Sequence, residues 1–183
     1  MKLYQYPSEN AEKRVKNTIE RGLGFSKKDY EAFEAYLENV KKRGDDALVE
    51  YTHQFDSKNV TVDSLKATRK EFEFALKNVD ASFLKALDRS VTQLEAFHSR
   101  QKENSWIDTP RNGVMVGQLV KPVGRAGIYV PGAKGGKTPL VSSVLMGGIP
   151  AKTAGVPSIN LLTPPMENGE INPHILVAAQ RIG

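Results

Sequence analysis

Residues 126–140 read AGIYVPGAKGGKTPL, and this stretch decides the fold class. Its first five residues, 126–130, form a short apolar run bounded by glycine and proline, as expected for a buried strand of a parallel sheet. Residues 141–154 predict a helix that two glycines and a proline weaken, and residues 159–162 predict the next strand. A strand, a helix and a second strand in this order predict a βαβ unit of an α/β fold.

Upstream of this unit, apolar side chains recur at helical spacing over much of the first hundred residues. A first helix is predicted over about 27–43, begun by Ser26 and ended by Gly44, and a second follows that Asp45 or Asp46 can cap and that ends near Phe55-Asp56. Two more are predicted, one after Thr68, with Glu71 completing a capping box, and one after Asp80. The N-terminal region is therefore predicted to be helical.

Two further segments complete the secondary structure. Asn112-Gly113 is a strong hairpin turn, and the β-branched run that follows it reaches Val120. Asn172 and Pro173 are suited to begin a last helix. A parallel sheet covered by helices needs more strands than this sequence supplies, so we expect incomplete Rossmann-like sheet units and a truncated chain.

Composition excludes several classes of protein. The chain has 183 residues, 39% of them hydrophobic, which is enough to bury a core, and it has no cysteine for a disulfide or a thiolate metal site. No apolar run approaches the roughly 20 residues that span a membrane, and residues 1–10 lack the apolar core of a signal peptide. We therefore expect a cytoplasmic protein with no membrane partner.

The net charge of +5 raises the question of nucleic acid binding. Lysine and arginine alternate with acidic residues along the helical half, as in Glu12-Lys13-Arg14, which is typical of a solvated helix face. Aromatic side chains that would stack on bases are not clustered beside a basic groove. We predict no nucleic acid partner.

The glycine-rich loop is the segment that could carry chemistry. A loop between a strand and a helix N-terminus presents backbone N–H groups to phosphate, and Lys134 and Lys137 add positive charge, although a tight structural turn explains the glycines equally well. Gly136-Lys137-Thr138 nearly completes a P-loop, but Pro131 replaces the leading glycine and no aspartate follows the next strand. The dinucleotide motif G-x-G-x-x-G is also absent.

A family resemblance is carried by three segments around this loop. Residues 121–132 read KPVGRAGIYVPG, residues 142–146 read SSVLM and residues 149–156 read IPAKTAGV. Supporting matches are VKKRGDDAL at 40–48, YTHQFD at 51–56 and FHSRQ at 97–101. In these segments, which extend over most of the chain, the sequence resembles histidinol dehydrogenase, and this outweighs the P-loop near-match.

The resemblance implies an NAD-dependent, zinc-requiring homodimer that oxidises L-histidinol in two steps to L-histidine, the end of histidine biosynthesis. It implies that Tyr129 contacts NAD and that Pro131 and Gly132 shape the same turn. Without the resemblance, Tyr129 would be a core aromatic that closes the strand end. Lys134 and Lys137 depart from the family pattern, which more often has a second glycine and fewer lysines here.

The resemblance places no catalytic residue and no zinc ligand on this sequence, because the family's ligands belong to a later part of a longer chain. The three histidines show no metal-ligand spacing. His98 lies on an apolar helix stripe and is expected to be a hydrogen-bonded core residue, His53 is expected to face solvent, and His174 is expected on the surface of a helix's first turn.

Three domains and several alternatives follow. We predict an N-terminal arm over 1–25, a helical region with the first strands of a first α/β domain over 26–125, and the first half of a Rossmann-like, NAD-facing domain over 126–183. A paralogous zinc- and NAD-dependent dehydrogenase of another polar alcohol fits the same residues, as does a non-catalytic fragment that serves folding or association. A P-loop NTPase is the weakest alternative.

Overall fold

The structure, a computed structural model, describes residues 2–20, 27–132 and 138–183. The chain divides into two compact units, Met1–Ala47 and Leu48–Gly183. The helix α3, Asp45–Phe55, crosses the boundary. The second unit contains all the strands of the described residues, including the strand before the glycine-rich segment, and the helix after that segment.

The first unit is helical. It contains α1, Glu9–Ile19, and α2, Lys27–Arg43. The bounds of α2 are those predicted from the sequence. Glu12-Lys13-Arg14 indicated a solvated helix face but no helix bounds were predicted there; in the structure the Ser8 hydroxyl accepts a hydrogen bond from the Ala11 N–H and begins α1. Gly44 ends α2 with a φ of 59°, which favours glycine. The predicted role of Ser26 at the start of α2 lies outside the described residues.

The next helices begin at local capping signals. Asp45 and Asp46 lie inside the first turn of α3, so the prediction that one of them precedes it as a cap was wrong. After a 3-10 turn, Val62–Ser64, follow α4, Arg69–Lys77, and α5, Ala81–Ser99. The predicted capping box at α4 and the predicted aspartate cap at α5 are both present.

An antiparallel hairpin follows α5. Its strands are β1, Trp106–Arg111, and β2, Val114–Gln118, and the predicted Asn112-Gly113 turn joins them with a φ of 75° at the glycine. The register of the two strands shifts between Asp108 and Arg111. That shift surrounds Pro110, which has no N–H for a ladder bond.

The predicted βαβ unit is confirmed. The strands β3, Ala126–Tyr129, and β4, Ile159–Leu162, pair in parallel, and α6, Val141–Ala154, connects them. Gly155 ends α6 with a φ of 83°, and the N–H groups of Gly155 and Val156 return to the carbonyls of Lys152 and Ala151 in a Schellman motif.

The last helix, α7, Pro173–Ile182, closes the core of the second unit. Asn172 caps it and Pro173 occupies its first turn, as predicted. Helices α4, α5 and α6 each contact α7, and α6 also contacts both parallel strands. Val130, Val144 and Ile149 are fully buried between these layers. The fold is α/β, as expected from the sequence.

Candidate functional site at the carboxyl edge of the parallel sheet

The candidate site is the edge of the sheet where β3 and β4 end. The Val130 N–H donates to the Leu162 carbonyl over 2.8 Å, so the ladder continues one residue past Tyr129. The Val130 side chain is fully buried and fixes this end of the strand in the core. In open α/β sheets, ligands bind outside the carboxyl ends of the strands, and the predicted site residues lie at this edge.

Tyr129 lies on the face of the sheet that α6 does not cover. Ile128 packs against α6, as shown by the Cγ2 atom of Ile128, which would lie 2.6 Å from a Cβ atom on Gly147 of α6. Neighbouring side chains of a strand point to opposite faces, so Tyr129 points away from α6. The Tyr129 side chain is 67% exposed. Tyr129 is therefore not a core residue of the described chain.

Leu162 is the neighbour of Tyr129 on that face. The two residues are partners in the parallel register, and Leu162 is 54% exposed. An aromatic ring beside an aliphatic side chain provides a flat apolar surface, which suits the face of a planar heterocycle. Leu162 was predicted as part of a strand but not as a site residue, since its pairing with Tyr129 requires the sheet register.

Pro131 and Gly132 leave the sheet directly after the buried Val130, and both are exposed. Residues 133–137, and with them Lys134 and Lys137, lie outside the described residues. The chain resumes at Thr138 and enters α6 after Leu140, a residue with no side-chain oxygen to cap the helix. The predicted NAD-contacting residues thus share one strand end and its turn.

The loop that follows β4 borders the same edge. It runs over 163–172 and begins with Thr163-Pro164-Pro165, all of them partly buried. Its far part is a turn in which the Met166 N–H donates to the Glu170 carbonyl, and the Gly169 N–H donates to the Met166 carbonyl, both over 2.8 Å. We call it the β4–α7 loop.

None of the histidines belongs to this edge. His53 is exposed and its Nε2 donates to the Val60 carbonyl over 2.6 Å, while the Nδ1 of the partly buried His98 lies 2.6 Å from the Gln101 side-chain oxygen. His174 was predicted at the surface, but it is partly buried, with its ring 4.6 Å from that of Phe83 in an edge-to-face pair.

Two carboxylates with lowered pKa values lie on or before α5, away from the site. The Ser82 hydroxyl, followed by the Phe83 N–H, lowers the pKa of Asp80 by hydrogen bonding to its charged form. The hydrogen bond from Arg181 lowers the pKa of Asp88, and the charge of Arg181 adds to the effect. A helix cap and an ion pair explain both shifts, so neither carboxylate is a candidate for acid-base chemistry.

The described residues offer no metal centre. Across residues 2–20, 27–132 and 138–183, no group of three or more histidine, cysteine, aspartate or glutamate side chains is arranged to hold a metal ion. Among the helices of the same residues, none has the length and apolar character needed to cross a membrane.

Comparison with known proteins decides the family. The sequence profile of histidinol dehydrogenase matches residues 24–183. The chain belongs to the histidinol dehydrogenase family. It is 48% identical over 152 residues to the histidinol dehydrogenase of Desulfotalea psychrophila, covering 83% of this chain and 35% of that protein. It is 46% identical over 147 residues to that of Nitratidesulfovibrio vulgaris, covering 80% of this chain and 34% of that protein.

A solved histidinol dehydrogenase has the same fold. The crystal structure of the enzyme from Elizabethkingia anophelis matches with a TM-score of 0.84 and 36% sequence identity, covering 100% of this chain and 40% of that chain. The chain thus spans about a third of the length of its curated histidinol dehydrogenase relatives. Family membership makes it part of an oxidoreductase family.

Proposed function

We propose that this chain forms one wall of the NAD cleft of a histidinol dehydrogenase, the enzyme that oxidises L-histidinol in two steps to L-histidine. The observation that carries the proposal is the position of Tyr129. Its ring is exposed at the carboxyl end of β3, in the tyrosine-valine-proline-glycine turn, beside the exposed Leu162. This edge is where α/β sheets bind nucleotides.

The chain's own residues bind and orient the cofactor. Tyr129 and Leu162 offer an apolar surface to a heterocyclic ring, and Pro131 and Gly132 turn the backbone past it. Val130 is fully buried, and its N–H donates a hydrogen bond to the Leu162 carbonyl, so it keeps this wall rigid. The chemistry that NAD supplies when bound is acceptance of hydride from the substrate carbon.

The described residues do not fit the zinc ion of the family. A zinc site needs three or four converging nitrogen, oxygen or sulfur ligands, and the part of the chain that is described has no such group. We assign the zinc ligands, the acid-base residues and the L-histidinol contacts to the two-thirds of the relatives' length that this chain does not cover. No catalytic residue is assigned here.

Further features of the whole enzyme belong to the same proposal. We propose that residues 1–25 are an arm, that residues 26–125 contribute to a first α/β domain, and that residues 126–183 begin the NAD-facing domain. We also propose a cytoplasmic homodimer acting in histidine biosynthesis. The relatives reported above carry the name histidinol dehydrogenase, which favours L-histidinol over another polar alcohol as the substrate.

A calorimetric titration of the chain with NAD tests the proposal. We expect saturable binding that Tyr129→Ala weakens about tenfold, because stacking on an aromatic ring is worth about 1–3 kcal/mol per base. Tyr129→Phe keeps the ring and should bind nearly as well as the wild type. Phe74→Ala removes another exposed aromatic, on α4, and serves as the matched control.

Circular dichroism establishes that each variant is folded before the titrations are compared. A folded wild-type chain that binds no NAD contradicts the proposal. Equal losses in Tyr129→Ala and Phe74→Ala also contradict it, because the effect would then be unrelated to the sheet edge.

A non-catalytic association fragment is the second candidate function. The β1–β2 hairpin favours it, because large apolar side chains of both strands are exposed, including Ile107 and Met115. Such a fragment would self-associate and would bind little NAD, so the same titration separates the two candidates.

A further inference from the structure

Two segments that are far apart in sequence are joined beside the candidate site. The Ser57 hydroxyl donates to the Glu167 carbonyl over 2.8 Å and accepts from the Asn59 N–H over 3.2 Å. The Asn59 amide nitrogen donates to the same Glu167 carbonyl over 3.1 Å. Ser57 is only 4% exposed, and it is the one buried polar residue among the described residues. We call these three residues the latch.

Gly169 shows how closely the two segments approach. A Cβ atom at this position would lie 2.9 Å from the Cβ of Asn59 and 3.0 Å from its carbonyl oxygen. Gly169 also has a φ of +87°, a conformation that other residues rarely adopt. The turn of the β4–α7 loop and the segment after α3 are thus fitted to each other through the backbone as well as through hydrogen bonds.

The latch fixes the loop that begins at the nucleotide edge. The β4–α7 loop leaves the sheet after Leu162, the register partner of Tyr129, and it is held at its far side by the Asn172 cap of α7. The latch holds it between these points, at Glu167. Pro164 and Pro165 stiffen the stretch from the sheet to the latch. A displacement at Glu167 would therefore be transmitted toward Thr163.

We propose that the first residues of the β4–α7 loop, Thr163-Pro164-Pro165, form the second wall of the nucleotide cleft, and that Ser57 and Asn59 are positioning residues that hold this wall. This stretch and the turn of Pro131 and Gly132 leave the same edge of the sheet, because β3 and β4 are adjacent and end together. This inference rests on the proposed function, since the ligand of the cleft is the dinucleotide NAD.

The test compares NAD titrations of the folded wild-type chain with those of three latch variants. Ser57→Ala removes the hydroxyl that donates to the Glu167 carbonyl, and Asn59→Ala removes the amide that donates to the same carbonyl. Gly169→Ala adds a methyl group where the loop contacts Asn59. Each should weaken NAD binding about five- to tenfold, as expected for losing hydrogen bonds that preorganise a site. Ser90→Ala is the matched control, because the Ser90 hydroxyl donates to the Ala86 carbonyl within α5.

Hydrogen exchange supplies a readout specific to the loop. The amides of Met166 and Gly169 are hydrogen-bonded within the turn, which protects them from exchange in the wild type. If the latch holds the turn, these amides should exchange faster in the latch variants. Amides of α5 should exchange at the wild-type rate. A variant that lost stability everywhere would accelerate both sets.

The outcomes are distinct. Unchanged NAD affinity in all three folded latch variants overturns the inference, and so does an equal loss of affinity in Ser90→Ala. A wild-type chain that fails to bind NAD contradicts the proposed function, and this failure is seen before any latch variant is compared.

Discussion

Asp88 and Arg181 join two helices of the second unit by a charged hydrogen bond. Asp88 belongs to α5, and Arg181 lies in the last turn of α7, where a cation also interacts favourably with the helix dipole. Both side chains are about half exposed, so solvent screens the pair. The hydrogen bond from Arg181 lowers the pKa of Asp88 below its ordinary value.

The lowered pKa of Asp88 makes a prediction about pH. Because the folded state binds the proton of Asp88 less tightly than the unfolded state does, the pair stabilises the fold above the ordinary aspartate pKa of about 3.9. That stabilisation is lost as the pH falls through the lower, folded-state pKa. Thermal melts of Asp88→Asn between pH 7 and pH 3 should therefore show a smaller loss of Tm than the wild type shows.

Arg181→Gln is the partner control for this experiment. It should reduce the same pH-dependent part of Tm, since it removes the group that lowers the pKa of Asp88. If Asp88→Asn keeps the pH profile of the wild type, the pair does not contribute to acid stability.

At the same scale, the site was only partly predictable from the sequence. Tyr129, Pro131 and Gly132 were predicted from the family resemblance, which a contiguous motif carries, and they lie at one strand end. Leu162 depends on strand register, and Ser57 depends on a contact with Glu167 across 110 positions. Their partners are distant in the chain, so no local pattern could indicate either residue.

The secondary-structure elements show the same division between local and distant causes. Helices α4, α5 and α7 were predicted because each begins at a side chain that caps its own first turn. Helix α1 has its Ser8 cap and carries Ala11, Val15 and Ile19 at helical spacing, but only Ala11 among them is buried. The glycines of α6 were interpreted as weakening it, whereas Gly147 packs directly against Ile128 of β3.

The contact of Gly147 leads to an expectation for the βαβ unit. In Gly147→Ala, the new methyl group would lie 2.6 Å from Cγ2 of Ile128, an atom close to the strand backbone, so α6 must move away from β3. Overpacking of this kind costs about 1–3 kcal/mol, and the better helix propensity of alanine returns about 1 kcal/mol. We therefore expect a net loss of up to about 2 kcal/mol in the free energy of unfolding, measured by urea denaturation.

Met146→Ala is the control within the same turn of α6, because the Met146 side chain is largely exposed. It should change the free energy of unfolding by less than about 0.5 kcal/mol. A stabilised Gly147→Ala variant would show that helix propensity outweighs the packing of α6 on β3.

On the scale of the whole molecule, the β1–β2 hairpin is the least covered part of the second unit. Its strands pair with each other and leave their outer edges free among the described strands. The strand residues Trp106, Ile107, Met115 and Val116 are exposed, as is Leu119 just beyond β2. A two-stranded hairpin with apolar side chains in water is marginally stable, and unpaired edges promote association.

We therefore expect the chain to self-associate through this hairpin as its concentration rises. Trp106 is the one tryptophan of the sequence and lies in β1, so its fluorescence reports on the hairpin directly. Its emission should shift to shorter wavelength, and acrylamide should quench it less, as sedimentation velocity shows larger species. Ile107→Lys should abolish both changes by placing a charge on the apolar surface, whereas Phe74→Lys, a matched change at an exposed aromatic of α4, should leave them intact. A chain that stays monomeric with an unchanged Trp106 emission would show that the hairpin is stable in water without a partner. Equal effects of the two lysine variants would show that association depends on net charge and not on the hairpin.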